Sequence, residues 1–253
     1  MKKIVSALML AGMVSAPAVV MAAETSPHTV TGNVGFASDY RFRGISQTYE
    51  DPAIQGGFDY AHSSGFYLGT WGSNVESLSL NGANMEWDVY GGYTFSVGDV
   101  AVNVGGLYYW YPSQTNNAVD IDTFELYAGA TWKWLNVKYS HSTTELFGIV
   151  DSENSGYLEA NVNVPLPADV TLGLHYGYQG VAGSISGVDN DSYSDWKISV
   201  SKPILGFNVS LAYVDTDVES SNVTWGYNTA VTKGTDVEDL ADGTVVLTVG
   251  KTF

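Results

Sequence analysis

The feature that most narrows what this chain can fold into is a period of two in its hydropathy. It runs to the last residue, in segments joined by alternately short and long connectors. A strand sends successive side chains to opposite faces, so each segment has an apolar face and a polar one. Twelve such segments are read as strands: 34–44, 53–61, 65–73, 85–95, 100–111, 122–132, 135–142, 156–164, 170–179, 195–202, 207–214 and 244–253. In the first, Phe36, Tyr40 and Phe42 alternate with Asp39, Arg41 and Arg43. In 65–73 both faces carry aromatic residues, and its facing stays ambiguous.

The connectors 62–65, 96–99, 133–134, 165–169 and 203–206 are tight. Between them fall the long ones, 44–52, 74–83, 112–120, 143–155, 180–193 and 216–243. A soluble Greek-key sandwich has no need of that alternation. An up-and-down transmembrane barrel does, with short turns at one rim and long outer loops at the other. The strands also approach the length of ~9–11 residues that a tilted spanning strand needs. Aromatic residues toward strand ends fit girdles at two interfaces: Phe42, Tyr60, Trp87, Phe95, Trp110, Trp132, Tyr178, Trp196, Phe207 and Phe253. The expected fold is therefore all-β, an antiparallel up-and-down transmembrane β-barrel of twelve strands with lipid outside and a wet lumen. The soluble alternative is a lipocalin-like barrel with its apolar face inward.

Composition excludes several classes. A formal charge of −17, from 10 Lys and Arg against 27 Asp and Glu, argues against nucleic acid as a partner. With no cysteine there is no disulfide, thiolate metal site or thiol nucleophile. The start "MKKIVSALMLAGMVSAPAVVMAAETS" has a basic n-region, an apolar stretch and a small-residue cleavage site, which predicts a secretory signal peptide over 1–22. Residues 23–253 then form a single barrel domain. Losing Lys2 and Lys3 with the leader takes the formal charge from −17 to −19. Beyond the leader, no segment reaches the ~20 apolar residues of a spanning helix, so any span is β.

The stretch "GNVGFASDYRFRGISQTYEDPAIQGGFDYAHSSGFYLGTWGSNV" (32–75) resembles the N-terminal signature of the TorF family of porins. Many members of that proteobacterial family are filed as conserved proteins of unknown function. The matching features are "SDYRFRGISQ", "PAIQGGFDY" and "GFYLGTWGSN", and the likeness extends to "TVVLTVGKTF" at the end. It implies a channel in the outer membrane of Gram-negative bacteria. The terminal Phe resembles the signal read by the barrel-assembly machinery.

The inward set comprises Asp39, Asp59, Glu86, Asp88, Glu125, Glu159 and Asp195, with Arg41, Arg43, Lys138, Lys197 and His175. These twelve are the expected pore-lining residues. They would serve passive diffusion of small hydrophilic solutes, with the acid excess preferring cations. A competing arrangement pairs the same charges across the lumen and plugs it, leaving a closed structural or adhesive barrel that works through its long acidic loops. No catalytic site is expected: His141 has Ser140 and Ser142 beside it, but adjacent strand residues face opposite ways. No cofactor or metal is expected either. "DNDS" (189–192) and "DTDVES" (215–220) offer oxygen ligands without the spacing of a calcium loop. The expected partners are outer-membrane lipid and lipopolysaccharide, small polar or cationic solutes, and the assembly machinery.

Overall fold

The computed structural model describes residues 26–78, 80–112, 114–115, 120–183, 192–218, 230–233 and 236–253. The expected leader lies outside them. The chain opens with β1 (His28–Ala37), the short β2 (Arg41–Phe42) and β3 (Ile45–Ser46), β4 (Ala53–His62) and β5 (Phe66–Asn74). Then come β6 (Met85–Val97), β7 (Val100–Trp110), β8 (Thr123–Trp132), β9 (Leu135–Ser142), β10 (Gly156–Leu166) and β11 (Val170–Gly180). The chain ends with β12 (Tyr193–Ile204), β13 (Phe207–Thr216), β14 (Ala230–Lys233), β15 (Asp236–Asp239) and β16 (Thr244–Thr252).

Among the described residues, twelve strands close an antiparallel barrel in the order β1-β16-β13-β12-β11-β10-β9-β8-β7-β6-β5-β4, with β4 returning to β1. Neighbours in the wall are neighbours in the chain, as an up-and-down barrel requires. At the seam, Gly32 and Phe253 exchange both backbone hydrogen bonds at 2.9 Å. The short turns gather at one rim. The two-residue link Leu205–Gly206 has both φ angles positive (52° and 82°), the geometry whose twist matches a tight hairpin.

The wall follows the alternation. Phe58, Leu68, Trp87, Leu126, Ile198 and Leu211 stand exposed on the outer face, the apolar belt of a transmembrane barrel. The ambiguous strand is resolved: Phe66 and Leu68 face out, while Tyr67 and Trp71 are buried inside. The abundance of glycine and tyrosine has a local cause on the inner wall. Tyr67, Tyr90 and Tyr127 lie across Gly92, Gly69 and Gly105, their partners on adjacent strands, where any Cβ would collide with the ring. These rings cover the bare backbone and fill the β4–β8 side of the lumen.

One expectation fails at the first strand, read as 34–44. β1 ends at Ala37, where Ser38 ties its backbone and hydroxyl to Leu247 (2.8 and 2.9 Å). The chain then leaves the wall and turns into the barrel. Residues 39–49 are buried except for the half-buried Phe42. β2 and β3 form a small hairpin there, pairing Arg41 with Ser46 and Phe42 with Ile45. Its turn, Arg43–Gly44, has φ of 46° and 85°. Gly44 has no room for a side chain, because Thr216 and Asp195 occupy the space. Tyr40 and Phe42 therefore face neither lipid nor a girdle. Phe42 packs edge-on against Tyr109 (5.5 Å) and Phe147 (5.4 Å). The connector 44–52, expected as an outer loop, is part of this inturned segment.

Candidate functional site in the lumen

The hairpin is fixed by its own charges. Asp39 accepts from Arg41 Nε (2.6 Å) through one oxygen and from Ser46 Oγ (2.6 Å) through the other. Arg41 also donates to Glu50 (2.6 Å) and to the carbonyls of Gly44, Leu240 and Asp242 (3.1, 3.1 and 2.7 Å). The end of the last long connector thus lies on the hairpin. Arg43 crosses to the far wall. Its Nη2 donates to both oxygens of Glu125 (2.7 and 2.8 Å) and its Nη1 to Gln179 (2.5 Å). The guanidinium carbon sits 4.3 Å from the Tyr157 ring centre and 4.7 Å from that of Phe42, a cation–π contact with each. Burial is the largest influence and works against its charge, but Glu125, Tyr109 and Tyr157 together raise its pKa above the ordinary arginine value.

On the β6 wall, Tyr40 donates to Glu86 (3.2 Å) and meets Trp71 edge-on at 5.5 Å. Burial, then the charges of Glu86 and Asp88, push the Tyr40 phenol well above its usual range, so it remains a donor. Glu86 and Asp88 are buried together on one face of β6. Glu86 Oε2 and Asp88 Oδ1 find no hydrogen-bond partner among the described residues. Asp59, on β4, accepts from Tyr90 (2.5 Å), and Tyr67 bonds Tyr127 (2.5 Å) and Asn103 (2.7 Å). This side of the lumen is packed.

The β10–β13 side is open. Below the hairpin lies a cavity of about 170 Å³, walled by polar residues of β10, β11, β12 and β13. That is room for on the order of ten water molecules. At its upper edge Lys138 Nζ pairs with Glu159 Oε1 (2.8 Å), whose other oxygen takes Asn161 (2.9 Å). His175 lies 2.7 Å from Asn161 Oδ1 and 2.9 Å from Asp195 Oδ1, and Tyr157 donates to the second Asp195 oxygen (2.8 Å). Lys197, beside His175 across the strand pair, lines the cavity. Asn163, Ser199, Ser201, Asn208 and Ser210 continue it downward.

All twelve predicted residues face the interior, but not as one set. Asp39, Arg41 and Arg43 arrive on the hairpin instead of the wall. Glu125 meets Arg43; Lys138, Glu159, His175, Asp195 and Lys197 form one cluster; Asp59, Glu86 and Asp88 stand apart from it. The acid excess expected of the lumen is largely cancelled around the cavity, which has three carboxylates, Asp39, Glu159 and Asp195, against Arg41, Arg43 and Lys197. Exposed acids gather instead at the long-connector rim, including Asp51, Asp120, Glu145, Asp151, Glu153 and Asp217. A list drawn from charge alone missed Tyr157 and Gln179, although alternation with Glu159 and His175 puts them on the same face. Glu50 and the carbonyls of 240–242 left no such signal.

His141 stands on the outer side beside Tyr139 (6.3 Å), while Ser140 and Ser142 are buried on the opposite face. Of the two calcium-like stretches, 189–191 and 219–220 fall outside the described residues.

The barrel is similar in fold to the solved KdgM porin (TM-score 0.51, 9% identity, covering 89% of this chain and 98% of that one). It is likewise similar to the KdgM porin in complex with disordered oligogalacturonate (0.50, 8%, 89% and 98%). A third likeness is to the NanC porin (0.52, 9%, 88% and 98%). No curated protein matches the sequence. Residues 21–253 match a family described as "Bacterial protein of unknown function (Gcw_chp)".

Proposed function

Because this chain belongs to the Gcw_chp family of bacterial proteins of unknown function, we propose its role from the barrel: an outer-membrane channel for passive diffusion of small hydrophilic solutes. The observation that carries this is the asymmetry of the lumen. One side is packed by tyrosines, and the other keeps a cavity whose charged and polar wall residues come mostly from β10, β11, β12 and β13. A barrel selected only as a scaffold has no reason to hold Lys197, His175 and a column of Ser and Asn around open space, since apolar packing would stabilise it more. The hairpin forms the constriction, and the acidic rim draws cations to the mouth. In this reading the chain is exported with a leader at 1–22, is assembled by the barrel machinery, and sits among outer-membrane lipid and lipopolysaccharide as a relative of the TorF-family porins. It carries out no covalent chemistry.

A second reading rests on the hairpin itself. Lodged on both walls, it favours a closed structural or adhesive barrel that works through its acidic loops. Single-channel current of the refolded barrel in a planar bilayer under a KCl gradient separates the two. Stable steps with a cation-selective reversal potential support the channel. A silent bilayer, with folding shown by heat-modifiable gel mobility, supports the closed barrel.

A further inference from the structure

The lumen cations differ in how they are neutralised. Arg41 is held by Asp39 and Glu50, Arg43 by Glu125 and Lys138 by Glu159, all within 2.8 Å. Lys197 has no ion-pair or hydrogen-bond partner among the described residues, although it lines the cavity. The nearby carboxylates do not supply one. Glu159 is engaged by Lys138 and Asn161, and Asp195 by His175 and Tyr157. An ammonium has three N–H donors and no acceptor, and away from bulk water it requires oxygen atoms around it. The wall beside it, with Ser199, Ser201 and Ser210, offers hydroxyl groups. Such a wall hydrogen-bonds a hydroxylated solute without adding charge of its own.

Resting on the channel reading, we infer that Lys197 is the anchor of a solute-binding subsite for a small hydroxylated carboxylate. The carboxylate sits on the Lys197 ammonium and the hydroxyls on the serine side chains below. The site is selective by chemistry that the acidic rim does not share: the rim concentrates cations, whereas the cavity offers, among the described residues, an ammonium with no ion-pair or hydrogen-bond partner. A neutral polyol makes the same hydroxyl contacts but leaves the ammonium without an anionic partner.

The test is calorimetric titration of the refolded barrel in detergent micelles at pH 7 with gluconate and with sorbitol, six-carbon polyols that differ in one carboxylate. Gluconate is expected to bind about tenfold tighter than sorbitol. That preference should fall to parity in Lys197→Met and largely persist in Lys197→Arg. It should be unchanged in Lys133→Met, which removes a lysine at the short-turn rim. Equal affinity for the two polyols, absence of gluconate binding, or an unaltered preference in Lys197→Met overturns the assignment. The wild-type comparison decides even where a variant does not fold, and Lys197→Gln provides a second neutral replacement. Binding is read without current, so the two proposals fail separately. A conducting barrel indifferent to gluconate refutes the subsite alone, and a silent barrel that binds it refutes the channel alone.

Discussion

Arg43 shows how much one side chain does in this barrel. It is buried, donates through Nη2 to both oxygens of Glu125, is bonded to Gln179 and makes cation–π contacts with two rings. Removing it leaves Glu125 charged and enclosed, and truncating one partner of a buried ion pair typically costs about 3–5 kcal/mol. Arg43→Ala should therefore lower the urea midpoint of the folded barrel markedly, and the pair Arg43→Met with Glu125→Gln should recover most of the loss. A wild-type midpoint for Arg43→Ala would mean that the pair contributes nothing. Arg43→Lys should fall between, because a lysine keeps the charge but cannot reach Glu125 and Gln179 with two separate nitrogens. At this scale the sequence was informative in part. Alternation put Arg43 inside, which is where it is, but alternation does not distinguish a residue on the wall from one carried into the lumen.

The element that escaped the sequence is the hairpin of β2 and β3. The period of two did not lapse at Ala37, because Arg41–Phe42 is itself a strand, paired in a different sheet. Alternation reports local extension and not which sheet a strand joins. The wall strands were legible because their period, length and connectors agreed. Phe42 was misplaced because an aromatic next to lipid and one packed on Tyr109 look alike in sequence. The Arg43–Gly44 turn was the available clue, since a glycine there permits a left-handed turn. Replacing 41–46 with a short Gly–Ser link should leave heat-modifiable mobility intact, since the twelve wall strands keep their pairings. The same change should raise single-channel conductance several-fold. Unchanged conductance would show that the constriction lies elsewhere.

At the scale of the whole barrel, the two sides of the lumen differ in what they tolerate. On the packed side, Tyr127→Phe removes a hydroxyl bonded to Tyr67 and should cost about 1 kcal/mol in unfolding experiments with little change in current. On the open side, Ser199→Trp places a large ring in the cavity and should reduce current strongly with little effect on stability. If Tyr127→Phe altered conductance more than Ser199→Trp, the assignment of packed and open sides would be reversed. The inturned hairpin also bears on descent. Its contacts reach β6, β8, β11 and the end of the last long connector, so wall and hairpin fit each other as key and lock. A lineage that alters Glu125 or Gln179 must alter Arg43 with them, and these positions should be inherited as a set although they are far apart in the chain.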